Sequence, residues 1–279
     1  MIGSEGLKGK IRNIANSKNL RSQEVLQMFF FERFLERLSK SKYKFNFVIK
    51  GGLLIFSMIG IDNRTTMDMD TTIKGVPLKE EVIRNIISEI INVEVNDGIE
   101  FEITNISHIR EEDEYENFRV HLIANFDKIK NDIKIDITTG DAITPKEIEY
   151  LYPCMFQEES LRVLAYPLET ILAEKYESVI KRNITTTRMR DFYDLYNLYN
   201  LRKEEIDFDI LKQAIISTAN RRESLPLMKQ AIEIIEDIKD DDYLKELWKV
   251  YLADNLYIGD LNFSETVKVV EIIAEKIAL

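Results

Sequence analysis

The chain has 279 residues, with 38 Lys and Arg against 49 Asp and Glu, for a formal charge of −11. Forty-five per cent apolar residues, with ten Gly and five Pro, exclude collagen-like and disordered classes and suffice for two domains. A lone cysteine, Cys154, excludes an intramolecular disulfide and Cys-cluster zinc sites, and no apolar run of spanning length follows the N-terminal charges, so a cytoplasmic protein with no membrane partner is expected.

Residues 1–21 carry Lys8, Lys10, Arg12, Lys18 and Arg21 with one acid, Glu5, and lead into a helical period over 24–38. A β-rich run at 45–50 is broken by Gly51-Gly52, and a buried helix over 53–59 ends at Gly60. Residues 64–73 alternate polar with apolar, which predicts a strand with Asp68, Asp70 and Thr72 on one face. Pro77 marks the first turn of a helix whose stripe is Ile83, Ile86, Ile87 and Ile90. Strands follow at 99–106, Phe118–Phe126 and 132–138. Beyond Pro167 every apolar repeat is helical: Leu168–Arg182, 189–201, 210–219, 227–238, 243–253 and 266–278. The expected class is α+β, with a mixed-sheet domain over 1–165 and a helical domain over 166–279.

The chemistry concentrates in a few residues. Asp68-Met69-Asp70 places two carboxylates on one strand face, where they repel unless protonated or bridged by a cation, and Mg²⁺ or Mn²⁺ is the simplest bridge. An edge strand made soluble by Asp is the alternative. The missing side chains of Gly51 and Gly52 let backbone N–H groups approach a phosphate. Asp136, flanked by Ile135 and Ile137, either completes a carboxylate triad or serves the turn after it. Lys175 interrupts the apolar line Ile171, Val179 and needs a partner, whether a triphosphate, an acid or water reached by snorkelling. Lys181, Arg182, Arg188 and Arg190 form an acid-free basic stretch before Asp191 and the tyrosines 193, 196 and 199. Guanidinium forks there suit phosphate, while the tyrosines suit either base stacking or a core. His108 and His121 lack ligand-spaced partners.

Taken together, Lys50-Gly51-Gly52, Arg64-Thr65-Thr66-Met67-Asp68-Met69-Asp70, Ile135-Asp136-Ile137, Glu174-Lys175 and Thr186-x-Arg188-x-Arg190-Asp191 with Tyr193-Asp194-Leu195-Tyr196 resemble the AbiEii/AbiGii toxin family of nucleotidyltransferases over about residues 45–200. The resemblance implies a polymerase β-like nucleotidyltransferase core followed by a helical domain. Asp68 and Asp70 then hold the catalytic metals, Asp136 assists the second metal or deprotonates the attacking hydroxyl, and Gly51-Gly52 receives the triphosphate. Lys175 offsets charge on the leaving phosphates, Asp191 is a further required acid, and Arg64, Arg188 and Arg190 are candidate substrate contacts. The family implies a toxin acting in abortive infection against phage, a cognate antitoxin encoded alongside, a nucleoside triphosphate substrate, and an RNA acceptor such as the tRNA 3′ end. Gly51-Gly52 stands where polymerase β-like enzymes usually have Gly-Ser, which shifts phosphate binding toward Lys175 and the arginines. Two other readings remain: an RNA- or protein-binding module on a degenerate core, and a metal-dependent phosphohydrolase.

Overall fold

Period-two alternation is cleanest in β4 (Phe118–Phe126) and β5 (Ile129–Thr138), whose Val120, Leu122, Ile133, Ile135 and Ile137 are buried on one face while Arg119, His121, Lys134 and Asp136 alternate with them. These strands pair antiparallel in a seven-stranded mixed sheet with β1 (Phe47–Lys50), β2 (Met69–Ile73), β3 (Glu100–His108), β6 (Ile148–Tyr152) and β7 (Leu161–Ala165). The strand order is β3-β4-β5-β2-β1-β7-β6, with β2 parallel to β5, β7 parallel to β1 and the other neighbours antiparallel. The computed structural model describes residues 3–77, 79–109 and 117–279. It divides into a unit of residues 1–140 with 148–165, and a second of residues 141–147 with 166–279.

In the first unit, helix α2 (Ser22–Lys40) lies against β5 and β7, burying Val25, Met28, Phe31, Phe34 and Leu35. Helix α3 (Gly51–Ile59) packs on β1 and β2, and α4 (Glu80–Ile91) lies on α2 and β3 through its isoleucine stripe. Helix α1 (Ser4–Ser17) covers α2 with Leu7, Ile11 and Ala15.

Glu32 is fully buried on α2 and accepts the Met155 and Phe156 backbone N–H groups at 2.6 and 3.1 Å. Burial outweighs those bonds and pushes its carboxyl from about 4.5 up to about 7. Folded Glu32 therefore holds a proton that the unfolded chain has lost between those values, so its contribution to stability falls as pH rises through that window. Thermal or urea unfolding at pH 5 and pH 8 is expected to show this loss, and in Glu32→Gln the difference shrinks by up to ~3 kcal/mol.

The second unit is helical: α5 (Leu168–Arg182), α6 (Met189–Arg202), α7 (Phe208–Arg221), α8 (Leu225–Met228), α9 (Ala231–Asp240), α10 (Asp242–Asp254) and α11 (Phe263–Ile277). Helix α5 packs on α6 and α7, and α11 on α6, α7 and α9. Phe192, Trp248 and Phe263 meet in its core, and the Trp248 indole N–H donates to the Leu261 carbonyl. Asp241 of the acidic run 240–242 caps α10 by accepting from the Leu244 N–H.

Several elements differ from expectation. The strand over 64–73 begins only at Met69, because the Thr66 hydroxyl bonds the Asp68 carbonyl and turns the chain before it extends. Pro77 precedes α4 rather than opening it, since the helix starts at Glu80. The helix over 227–238 is two helices, α8 and α9. Helix α1, with Gly6 and Gly9 inside it, and the strands β6 and β7 escaped the periodicity reading. Among the described residues no helix is long and apolar enough to cross a membrane.

Candidate active site

The polar face of the sheet carries a row of charge that pairing assembles. Arg119 of β4 stands opposite Asp136 of β5, Asp136 opposite Asp70 of β2, and Asp70 opposite Lys50 of β1. Residues directly opposite share a face, and neighbouring strands lie ~4.8 Å apart, so four strands present Arg, Asp, Asp and Lys side by side. Asp68 lies in the bend one residue before β2.

Arg119 grips Asp136 with both arms, Nε to Oδ1 at 2.7 Å and Nη2 to Oδ2 at 2.8 Å. Hydrogen bonding to Asp136 raises the guanidinium pKa against the opposing effect of burial, and the charges of Asp136, Asp68 and Asp70 add to the rise. Arg119 is therefore the counter-ion of Asp136. Sequence reading missed it. Alternation did put Arg119 on the polar face of its strand, but only the register sets it beside Asp136. Lys50 Nζ donates to the Thr138 hydroxyl at 2.7 Å.

The glycine turn is needed for close approach. Gly51 has φ +62°, and a Cβ there would lie 2.1 Å from Asp70 Oδ2. One on Gly52 would lie 2.6 Å from Thr66 Oγ1 and 3.1 Å from an Arg64 guanidinium nitrogen. The N-terminus of α3 thus sits against Asp70, with the Gly52 N–H pointing to Asp70 Oδ2 at 3.4 Å. Arg64 is buried behind this turn and donates to the Thr65 carbonyl, while Thr65 Oγ1 donates to Glu24 at 2.8 Å. Gly51→Ala is expected to displace Asp70, lowering any activity of this site at least tenfold and stability by about 1–3 kcal/mol, as read by turnover and urea unfolding.

A hard divalent ion suits Asp68 and Asp70, because magnesium commonly takes one or two carboxylates and completes its shell with water and substrate phosphate. Asp136 stands differently. Both its oxygens are engaged by Arg119, and among the described residues no three His, Cys, Asp or Glu side chains converge closely enough to cage a metal. In this arrangement the Asp136 carboxylate is paired with a guanidinium.

The second unit holds its own charge cluster. Lys175 lies between Asp191 and Asp194, 2.7 and 2.8 Å from their oxygens, with both acids almost wholly buried. Arg188 Nε and the Ser178 hydroxyl donate to Asp191 Oδ2 at 2.7 and 3.0 Å. Burial pushes the Asp191 carboxyl up, but Lys175 and Arg188 prevail and hold it below its ordinary value. An acidic partner is thus what the buried lysine finds, and Asp194 belongs to the cluster although sequence reading gave it no role. Arg190 is exposed. Tyr193 and Tyr199 are buried, Tyr193 against Tyr251 and Tyr257, so they are core residues. His108 lies on β3 against Phe118, and His121 on β4.

Residues 33–277 match the model of the family described as nucleotidyl transferase AbiEii toxin, type IV TA system. The chain belongs to this AbiEii family. It is accordingly a nucleotidyltransferase toxin of a type IV toxin–antitoxin system, and the family implies a nucleoside triphosphate substrate and an antitoxin partner. Two crystal structures from Helicobacter pylori share the fold. One, provisionally assigned as a nucleotidyltransferase, has a TM-score of 0.54 at 18% identity, covering 92% of this chain and 96% of its own. The other, JHP933, has a TM-score of 0.54 at 17% identity, covering 92% and 93%. A comparison with curated proteins finds no match. The mixed sheet followed by helices is therefore a nucleotidyltransferase architecture, as the class expected from sequence requires.

Proposed function

We propose that this AbiEii-family chain transfers a nucleoside monophosphate from a triphosphate to an RNA acceptor, the tRNA 3′ end in the first instance, and thereby arrests growth during phage infection. The observation that carries the reading is the in-register pair Asp70 and Asp136, set beside Asp68 and the N-terminus of α3. Such a surface suits in-line attack of a hydroxyl on the α-phosphate with loss of pyrophosphate. Asp68 and Asp70 would hold Mg²⁺ or Mn²⁺, which when bound polarises the phosphoryl oxygens and offsets their charge.

The remaining roles fall to side chains. Gly51 and Gly52 leave room at the first turn of α3 for phosphate oxygens. Asp136 would serve as a second ligand or as the acceptor of the hydroxyl proton if Arg119 released one of its oxygens, and that guanidinium would then be free to pair with phosphate. In the second unit, the family resemblance alone assigns Lys175, held by Asp191, to charge on the leaving phosphates. Arg188 and Arg190 serve nucleotide or RNA contacts, and Arg64 supports the turn from below.

The test incubates the purified chain with each labelled nucleoside triphosphate and total tRNA, with Mg²⁺ or with chelator. Label in RNA that requires the cation and disappears in Asp68→Ala is expected. Free phosphate or nucleotide with no labelled RNA would replace transfer by hydrolysis. Growth arrest that persists in well-folded Asp70→Ala and Lys175→Ala variants would point to a binding module acting by sequestration.

A further inference from the structure

We propose that the exposed face of helix α1, with the turn that joins it to α2, is a docking strip for the phosphate backbone of the RNA acceptor, an inference that rests on the transfer reading above. The charge distribution is the first observation. Of 38 Lys and Arg, five lie within the first 21 residues, with one of the 49 acids, which leaves the rest of the chain with 33 basic against 48 acidic residues. A chain this acidic repels RNA unless positive charge is concentrated locally, since phosphate neutralisation drives such binding.

The fold then presents those charges along α1 and the short turn that joins it to α2. Leu7, Ile11 and Ala15 face the core of the first unit, which turns Arg12 and, just beyond the helix, Arg21 outward. Neither has an ion-pair partner among the described residues. Lys8 and Lys10 lie partly exposed beside them, Lys8 paired with Glu5 and Lys10 over the Phe156 ring. Arg12 and Arg21 lie outside the family-matched residues 33–277.

Its placement connects it to the acids. Lys18 bonds Asp62 at 2.8 Å, Ile61 packs into the α1 cluster, and Gln27 of α2 donates to the Met67 carbonyl at 3.1 Å. The segment running from Asp62 to Asp68 spans six residues, at most ~20 Å when fully extended. An RNA strand lying along α1 therefore reaches the Asp68 bend within a few nucleotides.

The test measures binding of fluorescent total tRNA by anisotropy between 50 and 300 mM KCl, for wild type, Arg12→Glu with Arg21→Glu, and Glu5→Lys. The double variant is expected to bind at least tenfold more weakly, with the slope of log K against log salt reduced by about 2, and Glu5→Lys to bind more tightly with a steeper slope. These residues are exposed, so unchanged melting temperatures confirm that the fold is kept. Equal affinities and slopes in all three proteins would overturn the docking strip, as would lost antitoxin binding with RNA binding intact. Failure of transfer in wild type with a changed slope in the variants would instead remove the catalytic reading and leave the strip standing.

Discussion

Asp70→Asn is expected to lower nucleotide incorporation by about 10²–10³-fold without lowering the melting temperature. The carboxylate stands in register between Asp136 and Lys50, against the first turn of α3, and on the function proposed above it would ligate the cation that carries the triphosphate. Removing one charge at a site where charge develops in the transition state typically costs that much. Stability should not suffer, because the substitution also relieves repulsion from Asp136 on the neighbouring strand. The measurement is single-turnover labelling of tRNA beside a thermal melt. Incorporation within threefold of wild type would remove Asp70 from the chemistry.

Lys175→Met has the larger effect on folding. Lysine loss leaves Asp191 and Asp194 close together and almost without solvent, with Arg188 as the remaining cation beside Asp191. Breaking a buried pair on one side destabilises by about 3–5 kcal/mol, so a large fall in the urea midpoint is expected. The pH response should change sign as well. In the wild type the Asp191 carboxyl is held below its ordinary value, a contribution present above the unfolded carboxyl pKa and lost as pH falls through the folded one. Without Lys175, burial and mutual repulsion push the pair upward, and the variant becomes less stable as pH rises from 4 to 7. Lys175→Arg, which keeps the charge, is expected to recover most of the stability while transfer stays impaired, because a guanidinium fork does not reproduce a compact ammonium. Full transfer by Lys175→Arg would argue against a direct part for the ammonium.

Both effects concern residues that the bare sequence already marks. An Asp-x-Asp in an alternating strand, a Gly-Gly turn before it and a lysine inside an apolar helical line are local anomalies, because each places a group where its type is disfavoured. The helices from Leu168 onward were legible for the same kind of reason, since a 3.6-residue period needs no partner to be seen. The edge strand β6 was not, because its residues are mostly exposed and follow no alternation.

What lay beyond reading along the chain depends on which strand pairs with which. Asp136 and Asp70 are 66 residues apart, and only the parallel register of β2 with β5 sets them side by side. Arg119 meets Asp136 only through the antiparallel register of β4 with β5. A one-residue slip in either ladder would turn these side chains to the opposite face. Composition and periodicity decided which residues are charged, which are buried and where helices run, because those follow from nearest neighbours. Long-range packing decided that Asp136 meets a guanidinium and Lys175 two carboxylates, because Coulomb energy depends on distance in space and the fold alone sets that distance.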